Sequence, residues 1–339
     1  MKQVNIYPDY YYDFHCLADK CTDSCCEKWE IVVDDETAYK YEKTLGDMGE
    51  KLRSSMIIDD DGDRVFRLSD DRCPFLESTG LCEIHRILGE NALCNTCREY
   101  PRAVQDYGDA AEHDLSLSCP EAARLILLGN SEPFYIEYIY DVPDDDIFYE
   151  PELMEFLKDS RRKMLDMIWN TSNSFPDIIE KCLHYAFSVQ ESIDNGEYAF
   201  IYFNDNNAKS FIDLSYGNIL NEYLSGEILT DEFRISLKDA AALGEEPLSL
   251  PKFAAAKSII DSFENVFKRL CTYYLNRYWL RAAFDGDAAG KCIIMIKAVL
   301  TVRRLCLAYY EKNKELPISA LLRIVQLYSK ETEHNTDNL

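Results

Sequence analysis

Positive charge is scarce in this 339-residue chain. Its 36 Lys and Arg face 61 Asp and Glu, a formal charge of −25. A surface this acidic repels phosphate, which argues against nucleic acid and anionic membranes as partners and suits a cationic protein. Long apolar runs are also lacking. The most apolar, Cys292 to Val302, is broken by Lys297 and has about half the length a bilayer-spanning helix needs. The opening MKQVNIYPDYYYDF has no apolar h-region and carries Asp9 and Asp13, so no signal peptide is expected. The expected location is cytoplasmic, where thiols stay reduced. Glycine-rich loops are missing as well. In FDGDAAGK at 284–291 two glycines stand four apart, between helices and without a preceding strand, which excludes a Rossmann-type fingerprint. Internal repeats and low-complexity tracts are absent.

What is abundant is cysteine. Of 13 in all, nine fall in the first 119 residues: Cys16, Cys21, Cys25, Cys26, Cys73, Cys82, Cys94, Cys97 and Cys119. Cys182, Cys271, Cys292 and Cys306 are scattered among apolar residues and read as small buried hydrophobes. The first cluster reads C-x₄-C-x₃-C-C. In the second, Cys94 and Cys97 have the C-x₂-C spacing that lets two thiolates of one tight turn grip one ion. Two Cys-Pro dipeptides, at Cys73 and Cys119, resemble the end of a ferredoxin-type run. Adjacent Cys25 and Cys26 do not easily turn both sulfurs to one centre. Disulfides conflict with the reducing compartment and the odd count, and nine merely buried cysteines would not crowd into one third of the chain. A thiolate-bound metal or iron–sulfur centre accounts for all of these features. Two zinc sites would use eight of the nine; one four-iron cluster would use four.

Arg98 and Arg102, just beyond the C-x₂-C, are placed to stabilise an anionic thiolate centre or to pair with the acidic surplus. His15, His85 and His113 could replace a cysteine ligand, but nine cysteines suffice and a structural or exposed role is expected. Asp59–Asp63 (DDDGD) predicts a solvated turn before a short strand, not a calcium loop. Ile31–Val33 is β-like, Asp34 or Asp35 should cap a helix, and Pro120 should open another. The aromatic, acidic stretch 131–150 marks the expected boundary. The predicted class is mainly α: a cysteine-rich, metal-bound domain with few short strands at 1–130, then an α-helical domain at 131–339. There, Leu153 to Ile168 and Ile178 to Ala186 repeat helically, Phe253 to Phe284 forms one long helix or two, and Ala288 to Tyr310 should be the central, most buried helix.

The sequence resembles the flagellin lysine N-methylases, within the broader CxxCxxCC-type cysteine-cluster proteins. The resemblance runs through YDFHCLADKCTDSCCEKWEI at 12–31, CPFLESTGLCEIHRILGENALCNTCREYPR at 73–102, LSLSCPEAARLILLG at 115–129, YYLNRYWLRAAFDGD at 273–287 and YSKETEHNTDNL at 328–339. It implies a cytoplasmic enzyme that methylates flagellin lysines with S-adenosylmethionine as donor. It also implies a cysteine-bound centre, iron–sulfur or zinc. The residues themselves leave the S-adenosylmethionine site open. Cys21, Cys25 and Cys26 do not reproduce the C-x₃-C-x₂-C of radical enzymes, so the site would be an unusual one, for which Arg98, Arg102 and the helical domain are the candidates.

A lysine amine attacks a sulfonium methyl only when deprotonated, so the pocket must desolvate it or supply a base. The 23 tyrosines suit a sulfonium or an ammonium, although Tyr273, Tyr274 and Tyr278 stand at helical spacing and read first as packing residues. Glu331, Glu333 and His334 form a polar group whose expected state is a frayed, solvated terminus. The alternative function is a non-catalytic metal-cluster module for electron transfer, metal storage or partner binding.

Overall fold

The structure, a computed structural model, describes residues 1–143, 149–198 and 214–334. Strand β1 (Lys2–Pro8) leads to helices α1 (Asp35–Lys43) and α2 (Gly46–Ser55), the hairpin β2 (Met56–Ile58) and β3 (Arg64–Phe66), and short helices α3 (Glu83–Leu88) and α4 (Asn95–Glu99). Strands β4 (Arg102–Asp106) and β5 (Ala110–Leu115), helix α5 (Pro120–Leu127) and strand β6 (Tyr135–Asp141) come next. Beyond them are α6 (Pro151–Trp169), α7 (Phe175–Asp194), α8 (Tyr216–Ser225), α9 (Asp231–Ala241), α10 (Ala254–Ser262), α11 (Glu264–Tyr278), α12 (Ala282–Asp285), α13 (Ala288–Asn313) and α14 (Ile318–Glu333). The fold is mainly α, as the periodicity predicts.

Local chemistry sets the boundaries. Asp34 caps α1 by accepting from the Thr37 N–H at 3.0 Å, and prolines open α5 and α6 where a missing N–H costs nothing. Ser174 and Asp177 form a reciprocal capping box on α7. The acidic turn is as expected: the Asp59 carboxylate takes the N–H groups of Asp61 and Asp63 and closes the β2–β3 hairpin. The segment Phe253 to Phe284 is broken into α10, α11 and α12. Helix α13 is apolar nearly all round and buries fifteen residues against α7, α9 and α11.

The larger surprise is a four-stranded sheet of order β4-β5-β1-β6, with β1 parallel to β5 and antiparallel to β6. Its buried polar residues are paired: Asn5 donates to Gln3 Oε1 at 3.1 Å and meets His113 Nε2 at 2.7 Å. His113 also stacks on Tyr7, so it is structural. Strand β6 comes from the aromatic, acidic stretch that reads as a boundary. Two hydrophobic cores result. Ile31, Val33, Tyr41, Leu52, Phe66 and Phe75 centre the smaller; Tyr10, Phe14 and the segment from Tyr107 to Leu127 join the helices in the larger.

Under the sheet, Tyr10 donates to Asp114 at 2.7 Å, and burial pushes the Asp114 carboxyl up to about 6. The folded chain therefore holds this proton more tightly than the unfolded one. The stabilisation is complete below the unfolded carboxylate pKa and is lost as pH rises through about 6. Allowing for partial exposure, the loss between pH 4 and 7 should be on the order of 2 kcal/mol. Asp114→Asn should thus gain on the parent across that window in urea unfolding. A constant difference between the two proteins would refute it.

Candidate functional site

The cysteines of the first 119 residues lie around the smaller core and against its border with α14. All are free thiols, and Cys16 and Cys25 are exposed. Cys82, Cys94 and Cys119 occupy the positions just before α3, α4 and α5. Burial raises the Cys73, Cys82 and Cys119 thiols, to about 11 for Cys73 and about 12 for Cys119, and the backbone N–H groups of the turns that follow oppose it in part.

Two pairs of neighbouring thiols shift in opposite directions. Cys26 lowers Cys25 to about 7, while Cys26 is driven up. Cys97 lowers Cys94, and Cys97 rises. Cys25 acts on Cys21, Cys26, Cys73, Cys82 and Cys119 alike, and Cys94 acts on Cys73, Cys82 and Cys97, so the charges of the two clusters reach one another. The donor chemistry suits a thiophilic metal. Among the described residues, however, no three His, Cys, Asp or Glu side chains are already arranged to hold one.

The C-x₂-C turn is fixed by α1. Asp34, besides capping that helix, accepts from the Asn95 N–H at 2.9 Å, and backbone bonds hold its carboxyl below the usual range against burial. Thr96 donates to the Val32 carbonyl at 2.9 Å, and Tyr41 to the Ala92 carbonyl at 2.6 Å.

Helix α14 docks into the other cysteine loop. Asp23, between Cys21 and Cys25, accepts from Arg323 at 2.9 Å, Gln326 at 2.8 Å and Lys330 at 3.0 Å. Lys330 is only 2% exposed and lies 4.9 Å from the Trp29 ring centroid. Its field helps lower the Cys25 thiol. Gln326 also donates to the Ser118 carbonyl at 2.7 Å, next to Cys119.

The end of α14 is not frayed, which corrects the solvated reading of Glu331, Glu333 and His334. Glu331 is fully buried, accepts the Leu229 N–H at 2.7 Å and has its carboxyl raised by burial. Glu333, its side chain 1% exposed, accepts from Tyr273 at 2.8 Å and Ser329 at 2.6 Å and pairs with Arg277 at 2.7 Å. His334 stacks on Trp29 and meets Ser118 Oγ at 2.7 Å; burial pushes it down to about 4, so it is neutral at pH 7. These polar residues lie in a seam that the end of the sequence alone does not reveal.

Arg98 pairs with Glu99 at 3.2 Å and bonds to Asn95, and Arg102 lies 5.3 Å from the Phe14 ring centroid. His85 is exposed on α3, and His15 is exposed as well. Tyr273, Tyr274 and Tyr278 are buried packing residues, as expected, but they also face the seam. Tyr274 stacks with Tyr278 at 5.8 Å, and its buried hydroxyl has no partner among the described residues. The sequence signals for this seam are YYLNRYW and YSKETEH, too far apart in the chain to be read as one site.

Residues 170–339 match the FliB lysine N-methylase C-terminal domain, half of the chain. The chain belongs to the FliB lysine N-methylase family. The matched segment contains Arg277, Arg323, Lys330 and Glu333, so the family domain itself supplies one side of the seam. A second likeness is to the flagellar biosynthetic protein FliU of Salmonella muenchen, 31% identical over 134 residues, 38% of this chain and 79% of that protein. Lysine-N-methylases of Salmonella choleraesuis and Salmonella typhimurium are also 31% identical over 134 residues, but the match spans only 33% of each. No solved structure matches this FliB-family chain. No described helix is long and apolar enough to cross a membrane.

Proposed function

We propose that this chain is an S-adenosylmethionine-dependent protein-lysine N-methyltransferase acting on flagellin in the cytoplasm, with a cysteine-held metal centre, iron–sulfur or zinc, beside its active region. Membership of the lysine N-methylase family carries this reading. The docking of the family's last helix onto the Cys21–Cys25 loop supports it, because it joins the motifs of both ends in one place.

Cys26, Cys73, Cys82, Cys94 and Cys97 would hold the metal, whose own charge would favour their thiolates against burial. The buried Tyr274 hydroxyl, without a partner among the described residues, is a polar group of the seam that a ligand could satisfy. When bound, S-adenosylmethionine supplies the methyl group, its S–CH3 bond breaking as the lone pair of a neutral lysine Nζ forms the N–CH3 bond. The chain's own task is to desolvate that lysine, whose free pKa is about 10.4, so that the lone pair is available. Ion pairing within the fold engages Glu333, and the Leu229 N–H and Thr230 engage Glu331, so both carboxylates serve to hold the seam.

Calorimetry of S-adenosylmethionine binding to anaerobically purified protein, with iron, sulfide and zinc measured on the same sample, tests this reading. Saturable binding and stoichiometric metal are expected, with metal lost in Cys94→Ser. Metal without cofactor binding would favour the non-catalytic cluster module.

A further inference from the structure

Strand β6 is one edge of the four-stranded sheet. It runs seven residues, Tyr135–Asp141, against β1 in an unbroken antiparallel register from Lys2↔Asp141 to Pro8↔Tyr135. The flanking bonds fix which way its backbone faces. The Asp9 N–H donates to the Phe134 carbonyl at 2.9 Å, and the Val142 N–H to the Met1 carbonyl at 3.0 Å. Antiparallel bonding alternates, so the even-numbered residues of β6 turn their N–H and C=O groups toward β1. Tyr135, Glu137, Ile139 and Asp141 aim theirs outward, and no group among the described residues takes them up.

A free edge of this kind is a template for another strand, and folds commonly blunt it with a bulge, a proline, a lysine or a covering element. Strand β6 has no bulge, no proline and no cation. Its only charges are Glu137 and Asp141, both exposed and in no ion pair among the described residues, although Lys2 stands opposite Asp141 on β1. These two carboxylates share a face with Ile139, which is 66% exposed and lies midway between them. On the other face Tyr138 and Tyr140 extend the aromatic surface of Tyr7. The Tyr138 ring centroid lies 5.9 Å from that of Tyr7 and 6.4 Å from that of Tyr140. The edge therefore offers main-chain pairing along its length and selects by charge at two points.

We propose that β6 takes up an extended, lysine-bearing polypeptide segment as a fifth, antiparallel strand, with lysines four residues apart opposite Glu137 and Asp141 and an apolar residue between them opposite Ile139. Opposed Cβ atoms in such pairs stand about 5 Å apart, within reach of an ion pair, and β-branched residues at the alternate positions pack beside Tyr138 and Tyr140. A second copy of this chain fits the edge poorly. Pairing β6 with itself about Tyr138 gathers both Glu137 and both Asp141 carboxylates on one face, between chains of charge −25. Docking at this edge needs no methyl donor and stands apart from the function proposed above.

The test uses the full chain without S-adenosylmethionine and a fluorescein-labelled peptide of sequence Lys-Thr-Val-Thr-Lys-Thr-Val, followed by anisotropy at low salt. In the docked strand the lysines and valines turn their N–H groups to β6 and the threonines turn theirs away. N-methylation of the central valine and the second lysine should weaken binding at least about tenfold, whereas N-methylation of two threonines should change it less than about twofold. Ile139→Pro removes an outward N–H and leaves the ladder to β1 whole, so the variant should fold as the parent does and bind at least about tenfold more weakly. Glu137→Lys with Asp141→Lys should lose this peptide and gain the counterpart in which glutamate replaces lysine, a reversal that unfolding cannot produce. Equal binding of the two methylated peptides, or no reversal in the double variant, overturns the proposal. Sedimentation velocity reads the other occupant: a monomeric parent is expected, and a dimer that Ile139→Pro makes monomeric would give the edge to a second copy and overturn the proposal as well.

Discussion

Asp23→Ala is expected to destabilise the chain by about 3–5 kcal/mol, the range for stranding one partner of a buried ion pair. The substitution leaves the Lys330 ammonium buried, with only the Ser24 carbonyl at 3.2 Å and the Trp29 ring for company. Arg323, by contrast, keeps its second carboxylate partner, Glu232. Lys330→Met should cost less, about 1–3 kcal/mol, because Asp23 retains Arg323 and Gln326 and the methionine fills the space of the lysine stem. The double variant should then be more stable than the two single effects added together predict, by about 1–3 kcal/mol, since both act on one contact. Urea unfolding of the four proteins decides it. If Asp23→Ala lies within 1 kcal/mol of the parent, α14 is not locked to the cysteine loop by this pair.

The second large effect should come from Glu333→Ala, again about 3–5 kcal/mol. Its carboxylate is the shared acceptor of Arg277, Tyr273, Ser329 and, at 3.4 Å, Tyr278, and removing it leaves a guanidinium and three hydroxyls to find new partners in a buried seam. Glu333→Gln retains an oxygen acceptor for the hydroxyls but not the charge for Arg277, so it should fall between the parent and the alanine variant. Equal stabilities of the glutamine and alanine variants would mean that the ion pair, rather than the hydroxyl bonds, carries the cost. Parent-like stability of the alanine variant would contradict the seam as drawn here. Thermal unfolding followed by circular dichroism reads both outcomes.

Much of this was legible in the sequence where a signal is local. Pro120 opening α5, Asp34 capping α1, the Asp59 turn and the apolar helix at Ala288 all depend on residues within a few positions of one another. The density of cysteines also marked where the thiols would gather. What escaped was set at long range. Strand β1 alternates in burial, but Gln3 and Asn5 are its buried polar residues, so polarity hid the pattern until their partners on β5 and the β4–β5 turn were in place. The segment that forms β6 is exposed and acidic, which is how an edge strand and a linker both look in composition. The sharpest failure was the C-terminus. Lys330, Glu331, Glu333 and His334 have the composition of a solvated end, and only the packing of Asp23, Trp29, Ser118 and Tyr273 around them makes it a buried one. Lys330, the cation that reaches the cysteine loop, stands 307 residues from Asp23 in the chain, too far for a local signal.

The seam also gives a physical reason for the two ends of the chain to act together. A change in the cysteine loop moves Asp23, Asp23 holds three side chains of α14, and α14 carries Glu333 to the tyrosines of α11. Loss of metal ligands should therefore be felt at Tyr273 and Arg277; the coupling is mechanical and runs through one carboxylate.

The most direct measurement of the central claim is methyl transfer itself. The metal-loaded chain is incubated with flagellin and methyl-labelled S-adenosylmethionine, and the label is located by mass spectrometry. The account predicts label on lysine Nζ, its loss in Cys94→Ser, and a sharp reduction in Asp23→Ala at temperatures where that variant remains folded. Absence of label on flagellin lysines, with the protein metal-loaded and binding S-adenosylmethionine, would contradict it.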